Sequence, residues 1–178
     1  MEKSFVFAGF GGQGVILAGK ILAQAGVDEG LQVTWLPSYG PEMRGGTANC
    51  TVVLSDEPIG SPVVDNPTIL VAMNLPSLDR FEETVAESGT ILVNSSLIAR
   101  TIQRNGVQIL SVPANDIATS LGSSQAANMV ALGAIIKTTE IVPLELIKNA
   151  MARMLSQKDS TSIITVNQQA LDAGYGAV

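Results

Sequence analysis

Near the start of the chain, Gly9-Phe10-Gly11-Gly12-Gln13-Gly14 fits the pattern G-x-G-x-x-G. Glycines at that spacing allow a tight turn and close approach to the backbone, and a helix start just behind them offers unpaired N–H groups to an anion. The chemistry on offer is therefore the binding of a phosphate or diphosphate, with Gly9, Gly11, Gly12, Gln13 and Gly14 as contacts. A dinucleotide site would also need an acidic residue about 20 positions on, to hold the ribose hydroxyls. Val33-Thr34-Trp35-Leu36-Pro37 stands there instead, without an arginine for a 2′-phosphate. NAD and FAD are disfavoured. Two readings stay open: glycines that only let a helix pack on a sheet, and a loop that meets a phosphate group or another protein chain. The amide of Gln13, able to donate and accept, favours the second.

A second segment has the same character. Pro37-Ser38-Tyr39-Gly40-Pro41-Glu42-Met43-Arg44-Gly45-Gly46 is dense in turn formers, yet Tyr39, Glu42 and Arg44 can make directed contacts. Arg44 presents a planar fork of donors suited to a carboxylate or phosphate. An exposed turn with solvated charges is the alternative. Two glycine-rich loops meeting at one edge of a sheet argue against it, and they single out Tyr39, Gly40, Glu42, Arg44, Gly45 and Gly46 as a ligand or partner loop.

Composition removes most self-sufficient catalysts. The 178 residues include no histidine and one cysteine, so there is no Ser-His-Asp triad, no ordinary zinc site and no set of thiolates for an iron–sulfur cluster. No catalytic or metal-ligating residue is assigned. Cys50, inside a predicted strand, reads as a small buried hydrophobe. Ten basic against sixteen acidic residues give a net charge of −6 with no basic run, which makes nucleic acid a poor partner. The longest apolar stretch, Met129 to Ile136, falls well short of a bilayer, and the N-terminus reads as a first strand rather than a signal peptide. A cytoplasmic protein is the expectation.

The loops need elements to hold them. Residues 4–8 are an apolar run ending in glycine, as a buried parallel strand is. Helical spacing takes over from Val15 and ends at Gly30. Strands follow over 31–36, at 47–55 by alternation, and at 68–73, 90–93 and 107–112, with a proline-rich connector at 56–67. Helices are predicted over 76–87, 97–104, 115–121, 125–138, 144–155 and 161–173. Alternating strands and helices give the fold class: α/β, a three-layer α/β/α single domain over 1–178, with a mostly parallel, Rossmann-like sheet.

The segments at 9–14 and 39–46 in this order, the following strand ending at Ser55, and Asn167-x-x-Ala170-Leu171-x-x-Gly174-Tyr175 near the end resemble the gamma subunit of 2-oxoacid:ferredoxin oxidoreductases. The resemblance implies a component that is inactive alone. Such complexes decarboxylate a 2-oxoacid oxidatively to an acyl-CoA and pass electrons to ferredoxin. Thiamine diphosphate, magnesium and iron–sulfur clusters sit on or with partner subunits, so this chain alone binds no cofactor. Alpha and beta subunits are the implied partners, a ferredoxin-like delta subunit and a homodimer of the isolated chain being further options. The glycine loop would contact the diphosphate of coenzyme A or an interface. Chain length suggests 2-oxoglutarate as substrate, then pyruvate, with ketoisovalerate and indolepyruvate enzymes using similar domains. The alternative is a stand-alone regulatory module that binds a nucleotide or diphosphate.

Overall fold

The apolar run near the start forms the centre of the sheet. In the computed structural model, which describes residues 1–38, 47–156 and 161–178, this first strand is β1 (Glu2–Phe10). With it pair β2 (Gln32–Ser38), β3 (Thr47–Ser55), β4 (Ile69–Ala72), β5 (Thr90–Asn94) and β6 (Gln108–Val112), in the order β2-β3-β1-β4-β5-β6. β1, β4, β5 and β6 are mutually parallel, and β3 runs antiparallel to both of its neighbours. The sheet is mostly parallel, as expected, with one reversed strand between β1 and β2. Register places Ser38, Asn49 and Ala8 level with one another, so β1 and β2 end at the same edge.

Side chains alternate across the sheet as period two requires. Phe5, Phe7, Cys50, Val52 and Leu54 face one core, into which α1 (Val15–Asp28), α3 (Ala114–Ser120), α4 (Ala127–Thr139), α5 (Leu144–Leu155) and α6 (Thr161–Tyr175) bury their apolar residues. Val6, Ala8, Leu70, Ala72, Ile91 and Val93 face the other, under Leu78 of α2 (Leu75–Phe81), Val85 and Ile98. Three layers result, one outer layer much thicker than the other. Asn128 aside, α4 is apolar and buried from Ala127 to Ile136, because it lies inside that thick layer with α6 packed over it. That packing is unusually close. A Cβ on Gly174 would lie 1.9 Å from the carbonyl oxygen of Val130, and one on Gly133 would lie 2.1 Å from that of Leu171.

Two expectations need correction. The predicted helix over 76–87 stops at Phe81 and continues only as a 3-10 turn over Glu82–Thr84. No helix forms over 97–104; that stretch straps irregularly across α2. Arg100 pairs with Asp79 at 3.0 Å and with Glu82, while Arg104 donates to the carbonyls of Glu82 and Val85. These tertiary anchors, with Ile98 buried beneath, outweigh a weak helical propensity. Among the described residues, no helix is long and apolar enough to cross a membrane.

Candidate functional site

β1 delivers the glycine loop to the carboxyl edge of the sheet, where ligands bind in open α/β folds. The turn closes when the N–H of Gln13 donates to the carbonyl of Phe10 at 3.1 Å. Gly12 and Gly14 take positive φ, +96° and +71°, which explains the glycines at those two positions. Gly14 then caps α1 in the left-handed conformation, with no side-chain hydrogen bond to the first N–H groups of the helix. The N–H groups of Gly11 and Gly12 meet no acceptor among the described residues, and nothing stands within 4 Å of the place a Gly12 side chain would fill. The predicted loop is thus present between strand and helix, with N–H donors of Gly11 and Gly12 unpaired among the described residues in the turn before α1.

Gln13, the residue expected to reach a partner, turns inward. Its Oε1 accepts from the Phe10 N–H at 2.6 Å and from Asn74 Nδ2 at 3.1 Å, and its Nε2 donates to the carbonyl of Met73 at 3.3 Å. On the other flank Asn128 Nδ2 donates to the Gly14 carbonyl at 3.0 Å, and it occupies the space that a Gly14 side chain would need. Asn74, Asn94, Asn115 and Asn128 escaped sequence reasoning. Only Asn74 left a local signal: it precedes Leu75-Pro76, and its Oδ1 accepts from the Ser77 N–H at 2.9 Å as a helix cap. The other three join this site through tertiary structure alone.

Three clefts meet at Gly12. The first, about 430 Å³, is apolar and runs along Phe10, Val15, Leu17, Trp35 and Ala48, with Lys20 on its wall. The Lys20 ammonium lies 5.9 Å from the centre of the Trp35 ring. A second cleft of about 200 Å³ is lined by Gln13, Met73, Asn115, Ser124 and Gln125, all uncharged. The third, about 410 Å³, runs under Gly14 between Asn128, Ile163 and Asn167. Lys20 is the one charged side chain among the described residues lining these clefts. Positive charge and unpaired N–H groups on otherwise neutral walls suit an anionic group carried on an apolar or amide-bearing body.

Tyr39, Gly40, Glu42, Arg44, Gly45 and Gly46 lie outside the described residues. The strand ends that flank them, Ser38 and Thr47, lie at the glycine-loop edge, with Thr47 opposite Phe10. Cys50 is fully buried, and desolvation pushes its thiol up to about 12, far from a reactive thiolate. Among the described residues no group of three or more Asp, Glu or Cys gathers as a metal site would require.

Residues 4–177 match the family described as pyruvate ferredoxin/flavodoxin oxidoreductase. The chain is 44% identical over 175 residues to ketoisovalerate oxidoreductase subunit VorA of Methanothermobacter thermautotrophicus, covering 97% of this chain and 36% of that protein. It therefore spans about a third of those ketoisovalerate relatives. With 2-oxoglutarate synthase subunit KorC of Methanothermobacter marburgensis it shares 36% identity over 170 residues, covering 89% of this chain and 91% of that one. The solved gamma subunit of a keto/oxoacid ferredoxin oxidoreductase from Geobacter sulfurreducens superposes with a TM-score of 0.84 at 29% identity, covering 98% of this chain and 97% of that one. These matches run from the first strand to the last helix, and with the glycine loop set between β1 and α1 they lead to one conclusion: the chain belongs to the pyruvate ferredoxin/flavodoxin oxidoreductase family.

Proposed function

We propose that this chain is the gamma subunit of a multi-subunit 2-oxoacid:ferredoxin oxidoreductase and that its glycine loop receives the diphosphate of coenzyme A. The carrying observation is the pair of N–H groups at Gly11 and Gly12, which meet no acceptor among the described residues and lie in the turn that leads into α1, beside Lys20. An extended, anionic molecule with an aromatic base and an amide-bearing arm matches a site with one apolar and one uncharged polar cleft. Alpha and beta subunits, with a ferredoxin-like delta subunit, would hold the thiamine diphosphate, magnesium and iron–sulfur clusters. Those groups supply decarboxylation and electron transfer to ferredoxin. The residues of this chain bind and orient: the loop donates to the diphosphate, Lys20 balances its charge, and Phe10 and Trp35 offer flat apolar surface. Arg44 would serve the same anion or an interface carboxylate. For the 2-oxoacid, 44% identity to ketoisovalerate subunits supports a branched-chain acid ahead of the 2-oxoglutarate that chain length suggested.

The test is reconstitution with the subunits that co-purify from the native source. The complex should oxidise a 2-oxoacid, saturate with coenzyme A and reduce ferredoxin, while the chain alone does none of these. Rates with ketoisovalerate, 2-oxoglutarate and pyruvate rank the substrates. If the isolated chain binds NAD or FAD and no partner co-purifies, the stand-alone nucleotide module replaces this reading.

A further inference from the structure

The side chains beneath the glycine loop form a row of carboxamides joined through the backbone carbonyl of Met73. Gln13 bonds Asn74 through its oxygen and the Met73 carbonyl through its nitrogen. The same Met73 carbonyl accepts from Asn94 Nδ2 at 3.3 Å, and that nitrogen also donates to Asn115 Oδ1 at 2.7 Å. The row crosses the carboxyl ends of β1, β4 and β5 and reaches the first turn of α3. Asn74 and Asn94 are buried, and no charged group takes part. Room for it is made in the backbone, since a Cβ on Gly9 would stand 2.8 Å from Gln13 Oε1. Gly9 thus lets Gln13 fold back under the loop.

We propose that Gln13 is the positioning residue of this site, fixing the glycine loop and coupling it to the Asn74–Asn94–Asn115 row. The ligand in this proposal rests on the coenzyme A reading above; the coupling does not. Two hydrogen bonds tie the Gln13 side chain to Met73 and Asn74, just after β4, and a third ties it back to the Phe10 N–H at the start of the loop. With Gln13 N–H on the Phe10 carbonyl, Phe10 is held from both its N–H and its C=O. The N–H groups of Gly11 and Gly12 take no part in these bonds. Through Met73 and Asn115, the row also shapes the wall of the uncharged cleft. Gln13 touches no reacting atom in this account. Its effect is to keep the donors assembled before the ligand arrives.

The test pairs kinetics of the assembled complex with hydrogen exchange of the full chain. Gln13→Met keeps the length and removes all three bonds; Gln13→Glu keeps the acceptor and sets a carboxylate oxygen against the Met73 carbonyl. Both should raise KM for coenzyme A at least tenfold, with kcat at saturation within twofold of wild type. In Gln13→Met the Phe10 amide should exchange at least tenfold faster, while amides in the middle of β4 keep their protection. Asn74→Ala combined with Gln13→Met should raise KM by less than the product of the two single effects, because the partners are shared. Unchanged KM, or a fall in kcat with KM unchanged, overturns the proposal even if exchange is faster, since the row would then be structural only. A wild-type complex that does not use coenzyme A would instead remove the ligand reading. Exchange alone then decides the coupling: an unchanged Phe10 amide in Gln13→Met overturns it.

Discussion

Replacing Gly174 by alanine adds one methyl group where α6 presses on α4. Helix propensity alone makes the change favourable, by about 1 kcal/mol. Geometry opposes it. The new Cβ would lie 1.9, 2.7 and 2.9 Å from the carbonyl oxygen, carbonyl carbon and Cα of Val130, all backbone atoms of a buried helix. Contact between carbon and its neighbours starts near about 3.5 Å, so the helices must part by roughly 1.5 Å, and even a gap of 0.5–1 Å forfeits a quarter to a half of the attraction across it. Overpacking costs about 1–3 kcal/mol, and we take the upper end because no flexible side chain can yield. The net loss is then about 2 kcal/mol, a fall in Tm of roughly 4–8 °C for a chain of this size. Thermal melting followed by circular dichroism measures it. Gly176→Ala is the control, since its nearest atom is the Asp172 carbonyl oxygen at an ordinary 3.5 Å. Gly133→Ala strains the same contact from the other side, so the double variant should lose less than the two singles together. If Gly174→Ala melts at or above wild type, helix crowding does not govern this contact and the reasoning fails.

Gly12→Val should fold with a strain cost of about 1 kcal/mol or more from φ +96°, because its side chain meets open space, yet coenzyme A affinity of the complex should fall at least tenfold. Wild-type affinity in that variant would place the ligand elsewhere. The Cys50 thiol, pushed up to about 12, should not react with a disulfide reagent in the native chain and should titrate as one equivalent in denaturant; rapid native labelling contradicts its burial. Arg153 holds the Asp28 carboxyl below its ordinary range, chiefly by hydrogen bonding, so the pair stabilises at pH above about 4 and loses that effect as the carboxyl protonates. Arg153 is largely exposed, and Arg153→Ala should cost only about 0.2–1 kcal/mol at pH 7 in urea unfolding, with the difference shrinking as the pH falls below the ordinary carboxylate range; a constant difference would assign the effect to packing.

Much of the scaffold can be read from local pattern. The run Phe5-Val6-Phe7-Ala8 closed by glycine, the alternation over Thr47–Ser55 and the helical spacing from Val15 each appear as elements. Strand direction is another matter: period two is the same in both senses, so nothing in 47–55 announced that β3 runs backwards. The helix expected over 97–104 failed because Arg100 and Arg104 find acids and carbonyls on α2 and the turn after it, partners that local sequence does not reveal. The glycine loop was legible as a motif, but the inward turn of Gln13 was not, because it depends on Asn74 and Met73, some 60 positions away. Asn94, Asn115 and Asn128 carry no local signature, and the fold alone brings them together.

The reversed strand also works as a caliper. Because β3 lies between β1 and β2, Ser38 and Ala8 stand two strand spacings apart, about 9.5 Å. Inorganic phosphate is far shorter than that span, and a bare diphosphate also falls short of it. A small anion can therefore occupy the glycine loop without reaching the end of β2, while a long molecule or a protein segment can touch both at once. The spacing sorts visitors by reach, so free phosphate in the cell should compete only weakly for a ligand that bridges the two ends.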